Sequence, residues 1–313
     1  MPRQRSSATT AECALEKGLR RRWRLGEKFI EGGIFLASLL SIVVLLGIVA
    51  ILLRQGLPIF SYAPPWEFLF GTRWYPVSEP PTFGITSFFV ATLWVTIIAT
   101  AIAVPVGVAC AAYLAEVASS RIRETVKPII ELLAGIPSVV MGFIGLLLLS
   151  PLIQSLFNLN TGLCGLAAGI MLSLMSLPII VSVSEDALHA IPDEFRQAAY
   201  ALGTTKWEVV RHVSIPAALS GIAAAIMLGI GRAIGETMTV LMIAGGALAV
   251  PVSPTQPMMP MTAAIASGIG NAVRGGLQYQ ALFAVGLLLF FLTLAVNLIA
   301  DSVLERQKRK FER

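Results

Sequence analysis

Arg232 and Glu236 are the only charged side chains between Arg211 and Arg274. They stand four residues apart in Gly229-Ile-Gly-Arg-Ala-Ile-Gly-Glu-Thr237, in the middle of a long apolar run. A charge at the centre of a bilayer costs roughly 2.5–3.5 kcal/mol on insertion scales. A chain keeps such residues where they face a partner, a cavity or a passing solute. The Arg232 guanidinium is a planar fork of donors that fits phosphate oxygens. Glu236, when ionised, only accepts hydrogen bonds. Thr237 and Thr239 add hydroxyls, aimed at a solute or at backbone carbonyls. A structural reading stands beside this one: the two charges neutralise each other one helical turn apart. Arg before Glu is the weaker order for such a pair, and apolar residues would serve the same structural end. Gly229, Gly231 and Gly235 thin one side of this segment and permit close approach or a cavity.

The elements that must hold these residues are membrane helices. Hydrophobic residues make up 56% of the 313 and charged residues 13%, against about 25% charged in soluble domains. Mean hydropathy is +0.79. The fold class predicted is all-α and polytopic, because only helices or closed barrels satisfy their backbone in lipid, and the apolar runs match a hydrocarbon core of about 30 Å. Six spans are expected near 30–53, 84–115, 128–153, 162–184, 215–248 and 277–303. The second and fifth are longer than a bilayer needs, so each overshoots, tilts or kinks. Pro105 is the kink candidate in the second and Pro137 in the third. A basic, poorly ordered tail over 1–28 is expected to precede one membrane domain over 29–313.

With the N-terminus inside, 19 of the 23 Lys and Arg residues lie on the cytoplasmic side, and only Arg54, Arg73 and Arg274 lie outside. This is a positive-inside pattern, and it puts both termini in the cytoplasm. It accounts for the pI of about 9.3 through contact with anionic lipid and needs no nucleic acid. The first apolar run is longer than a signal-peptide core, and no cleavage site is expected after it. Cys13, Cys110 and Cys164 have neither disulfide nor metal-ligand spacing, and His189 and His212 have no partner pattern. No Gly-x-x-x-x-Gly-Lys-Ser/Thr loop is found, so this chain is not expected to bind ATP. Gly-x-Ser-x-Gly and His-Glu-x-x-His are also missing, which argues against an intramembrane hydrolase. Catalytic residues, metals and cofactors are therefore not expected. Lys127 and Glu131 read as a snorkelling pair.

Two external segments are rich in proline. Residues 54–83 add Trp66, Trp74 and Tyr75, which suit a membrane–water interface, and 249–276 end in a mild helical pattern. The cytoplasmic stretch between spans four and five, 185–216, is too patterned for a linker. Pro192 opens a helix with an apolar stripe at Phe195, Ala198, Ala199 and Leu202. Gly203 is placed to end it with positive φ. Thr205 and Glu208 form a capping box for a second helix. Small residues in line there let another protein approach the backbone.

This stretch resembles the "EAA" loop of ABC importer permeases: Glu-Ala-Ala, three residues, Gly, nine residues, Ile-x-Leu-Pro. Here Gln197-Ala198-Ala199, Gly203 and Val213-Ser-Ile-Pro216 keep the spacing, with Gln197 in place of the acid. Trp74-Tyr-Pro76, Glu131-Leu-Leu-Ala-Gly-Ile-Pro-Ser-Val-Val140 and Gly231-Arg-Ala-Ile-Gly-Glu-Thr-Met238 resemble the PstC-type permeases of phosphate importers, from about residue 66 onward. The resemblance implies a type I ABC importer permease (MetI-like) fold in the inner membrane. It implies a PstA-like second permease, a PstB-like ATPase dimer docked on Gln197, Ala198, Ala199, Gly203 and Pro216, and a PstS-like external phosphate-binding protein. Arg232, Glu236 and Thr237 would then line the substrate path. Phosphate near neutral pH keeps a P–OH proton and sulfate does not, so Glu236 beside Arg232 would welcome the first and repel the second. A permease for another oxyanion such as sulfate or molybdate is the near alternative. An ATP-independent channel or carrier is the far one, and it leaves the coupling loop idle.

Overall fold

The computed structural model describes the backbone of residues 6–311 and the side chains of 31–299 and 302. Two compact units are present, Met1–Arg54 and Gln55–Arg313. The first is carried by one helix, α1 (Ser6–Gly56), whose apolar part begins at Glu31. This helix reaches back through the stretch expected to be a disordered tail. Residues 1–5, and the basic side chains of that tail, lie outside the described residues.

The second unit opens with a folded cap, in the stretch expected to be external. A 3-10 turn (Leu57–Ser61) and α2 (Pro65–Phe70) lead into a two-residue hairpin, β1 (Trp74–Tyr75) and β2 (Thr82–Phe83), with Trp74 opposite Phe83. Trp74 is not interfacial as expected. It is buried, with Phe83 and Phe88 edge-on against it at 5.7 and 5.0 Å. Trp66 and Tyr75 remain exposed. Ile59 and Phe68 complete this apolar cluster, which the long helices extend from below.

The second span is α3 (Thr86–Ala112), closed by a π turn over Tyr113–Val117; Pro105 does not end it. Its buried face is Ala91, Val95, Ala99, Ala103, Gly107 and Ala111, one residue in every four. Small residues at this spacing let two membrane helices approach closely. The partner is α7 (Gly165–His189), the fourth span, which sits between α3 and α11. A Cβ on Gly107 would meet Ile180 Cγ2 at 2.7 Å, and one on Gly169 would meet Ile98 at 2.6 Å.

The third span begins later than expected. An amphipathic helix, α4 (Ser120–Ala134), stops at Gly135-Ile-Pro137, and α5 (Ser138–Ile144) then starts the span that α6 (Ser150–Phe157) finishes after a π turn. Pro137 breaks the path rather than kinking it, because it donates no hydrogen bond and forces Ile136 away from helical geometry. Residues 120–134 are therefore a separate helix with no buried residue.

After α7 come α8 (Asp193–Ala201), α9 (Lys206–Val209), a π turn and α10 (Ile215–Ala217). The segment Lys206–Ala217 meets α11 (Leu219–Gly235) at 72°, so the run expected as one span from 215 is bent at Ala218. It breaks again at Glu236-Thr237 before α12 (Met238–Ile243). The second proline-rich segment, 249–276, packs inward instead of looping free. Met258 and Met261 are fully buried, and α13 (Met261–Ile269) lies against α14 (Leu277–Phe311), the last span. Among the described residues five helices are long and apolar enough to cross a membrane, and six if the bent pair forms one span.

Candidate functional site

Arg232 sits in the last turn of α11, and Glu236 lies beyond the helix end in extended backbone, φ −68° and ψ 131°. They are therefore not stacked on one helical turn. Among the described residues no ion pair joins them and none involves Arg232, so the mutual-neutralisation reading does not hold. The glycines divide the work. Gly229 faces α7, where a Cβ would meet Ile180 Cγ1 at 2.6 Å, whereas a Cβ on Gly231 or Gly235 would meet nothing within 4 Å. Leu228, Gly231, Arg232 and Gly235 share one helical face by their spacing. Ala233, behind it, is buried against Ala91, Val95 and Ala99 of α3 and Leu172 of α7. The arginine thus stands on the open side of α11.

The break is held in place by hydrogen bonds. The Glu236 carboxylate accepts from the Thr239 amide at 3.3 Å, and the Glu236 carbonyl accepts from Thr262 Oγ1 at 2.8 Å. Thr237 Oγ1 donates to the Gly235 carbonyl at 3.3 Å, which is the backbone-bonded alternative for that hydroxyl. Thr239 does not face the open side. It is fully buried and donates to the Ser138 carbonyl at 2.9 Å. That bond joins the Gly-Glu-Thr element to the start of α5, 101 residues away. Gly142 and Gly145 let α12 lie close on α5, since Cβ atoms there would meet Met242 at 2.8 Å and Ile243 at 2.3 Å.

The segment from Asp193 to Ala217 follows its sequence cues closely. Asp193 and Glu194 occupy the first turn of α8, where the helix dipole favours them. Gly203 ends the helix at φ +81°, a conformation that costs a residue with a Cβ about 1–2 kcal/mol. Thr205 and Glu208 form both bonds of a capping box. Hydrogen bonds from the Thr205 backbone and hydroxyl hold the Glu208 carboxyl below its usual range. Gln197, Ala198 and Gly203 are exposed, Ala199 is buried and Pro216 is half-buried. Phe195, Leu202 and Trp207 project outward at 56%, 85% and 67% exposure.

Sequence reasoning missed the ion pairs at the root of this segment. Lys127 pairs with Glu185 and Asp186 of α7 rather than with Glu131, which instead accepts from Ser182 Oγ at 3.4 Å. Arg123 also approaches Glu185, at 3.5 Å. Arg196 of α8 grips Glu116 in the π turn after α3. Each partner is 58 to 80 residues distant in the chain, beyond the reach of any helical spacing rule.

Residues 103–313 match the family described as the binding-protein-dependent transport system inner membrane component. The chain is 36% identical over 277 residues to a probable ABC transporter permease protein, YqgH, of Bacillus subtilis, covering 88% of each. It is 36% identical over 293 residues to the phosphate transport system permease protein PstC of Mesorhizobium japonicum, covering 86% of this chain and 88% of the relative. It is 35% identical to the PstC of Haemophilus influenzae over 262 residues, 78% of this chain and 82% of the relative. In fold it is similar to a chain of a bacterial alginate ABC transporter solved with an alginate-bound periplasmic protein. There the TM-score is 0.63 at 16% identity, over 93% of this chain and 97% of that one. It is also similar to a chain of the inward-facing MetNI methionine ABC transporter, with TM-score 0.56 at 18% identity over 71% and 95%.

Proposed function

The chain belongs to the family of inner membrane components of binding-protein-dependent transport systems, and on that premise we propose that it is the PstC-type permease of an ATP-driven phosphate importer. The observation that carries this reading is Arg232. It is a half-buried guanidinium with no anionic partner among the described residues, on the open face of a membrane helix, at the point where that helix breaks. Lipid is a poor neighbour for that face. A second permease is a good one, because a cavity between the two would surround the guanidinium with water and anion.

In this reading a PstA-like permease closes the open side, and phosphate passes Arg232 with Glu236 accepting its P–OH proton. Thr237 borders the path. A PstS-like protein delivers phosphate from outside. A PstB-like ATPase dimer docks on the outward face of α8, around Ala198 and Gly203, and hydrolyses the ATP; the permease does no chemistry. ATP binding closes the ATPase pair, and α8 carries the motion into the spans. Residues 29–313 are the membrane domain, residues 1–28 a basic cytoplasmic tail, and both termini are cytoplasmic.

The test is uptake of labelled phosphate into vesicles that hold this chain with its permease, ATPase and binding-protein partners. Uptake should require hydrolysable ATP inside and external binding protein. Unlabelled phosphate should compete, and sulfate and molybdate should not. ATP-independent uptake would favour a channel, and competition by sulfate would reassign the substrate.

A further inference from the structure

We infer that Arg196 is a positioning residue that makes the coupling helix α8 and the cytoplasmic end of α3 move as one body; this deepens the transport reading above and rests on it. The geometry is saturated. A guanidinium has five N–H donors, and in Arg196 all of them are engaged. Nε and Nη2 bind Glu116 Oε1 at 3.1 and 3.0 Å, with Oε2 at 3.3 Å from Nε. The second Nη2 hydrogen serves the Leu188 carbonyl at 2.8 Å. Nη1 serves the Ile191 carbonyl at 2.8 Å and Asp193 at 2.9 Å. One side chain on α8 thus holds the end of α3, the end of α7 and the link between α7 and α8.

Burial decides which of these contacts matters. The Glu116 side chain is 4% exposed and that of Arg196 14%, whereas Asp193 is 80% exposed. An exposed pair contributes little. A buried carboxylate stripped of its cation is strongly unfavourable, so α8 cannot slide or rotate away from Glu116 at low cost. Burial works against the Arg196 charge, but the hydrogen bonds and charge of Glu116 outweigh it and raise the guanidinium pKa.

The linkage continues upward by packing. Glu116 belongs to the π turn that closes α3, and α3 is seated on α7 along its small-residue face. The same face, at Ala91, Val95 and Ala99, holds Ala233, the neighbour of Arg232. A push on Phe195, Leu202 and Trp207 therefore reaches the α3–α7–α11 body through Arg196. A lysine offers three donors as a point charge and cannot hold all three elements.

The test measures phosphate imported per ATP hydrolysed by the full complex carrying R196Q, E116Q, both, or R196K. The inference predicts that R196Q lowers this ratio about tenfold or more in complexes that assemble normally. The double variant should be no worse than R196Q, as for two members of one contact, and R196K should fall between. A ratio unchanged in R196Q overturns the inference. So do losses that multiply in the double variant, or uptake and hydrolysis that fall together in proportion to assembled complex. If R196Q fails to assemble, E116Q decides, since it keeps the shape and one acceptor oxygen; failure of both assigns the pair to folding alone and overturns the inference. The unsubstituted complex is measured alongside. Absence of ATP-driven phosphate uptake there sinks the transport reading itself, and does so separately from any result on Arg196.

Discussion

Gly203 shows how far one residue can be read without coordinates. Its place after an apolar stripe predicts a positive-φ helix end, and the structure has φ +81° there. A Cβ at this position would meet nothing within 4 Å. Gly203→Asp should therefore cost only the backbone strain, about 1–2 kcal/mol, and leave the permease inserted. Its carboxylate would project from the face proposed above to dock an ATPase. Pull-down of the partner ATPase should fail for this variant, and full co-purification with normal coupled transport would refute docking there. The Thr205–Glu208 capping box was equally legible, because its two members are three residues apart. Arg196 was not. Nothing within four residues of it points to Glu116, 80 residues earlier, and only the folded chain brings them together. The same limit produced the error at Lys127, where a local Glu131 was available but the buried carboxylate of Glu185 makes the bond.

At the scale of elements, α3 and α7 form the frame on which everything else is hung. The stripe Ala91, Val95, Ala99, Ala103, Gly107 and Ala111 is visible in the sequence as one small residue in nearly every fourth place, and it could have named the contact face of the second span. Gly107→Leu would drive a side chain into Ile180, already 2.7 Å from an added Cβ. Overpacking of this kind costs about 1–3 kcal/mol, so the purified protein should melt several degrees lower; an unchanged melting temperature would show that the helices are not locked there. Span boundaries were less legible than span number. Hydropathy runs on through 128–153, so Pro137 reads as a kink within one span, yet Gly135-Ile-Pro137 cuts it and hands the first half to an amphipathic helix. The length of the fifth apolar run, 215–248, calls for an overshoot, a tilt or a kink, but hydropathy does not place the break. Its breaks fall where backbone partners change, at Ala218 and at Glu236, and hydropathy is blind to those.

For the whole molecule, charge asymmetry and the broken fifth span make a joint statement about direction. The Lys and Arg residues gather on one side, which the positive-inside rule assigns to the cytoplasm. On that rule the segment 193–216 is expected in the cytoplasm, and the aromatic cap over Ile59, Phe68 and Trp74 is expected outside. A reporter fused after Glu305 should be active only in the cytoplasm; an external signal would invert the scheme and put the ATPase surface outside. The aromatic cap was the least legible part, because its prolines and aromatics describe a loop equally well until α13 and α14 supply the surface on which Trp74 and Phe83 pack. Between cap and coupling segment, Arg232 is the residue on which the transport account depends. The most direct measurement is phosphate uptake by the assembled complex carrying Arg232→Gln, which keeps polarity but removes the charge and the fork. The account predicts that the complex assembles, the ATPase docks, and uptake falls by about tenfold or more; uptake at the unsubstituted rate would contradict a place for Arg232 on the path.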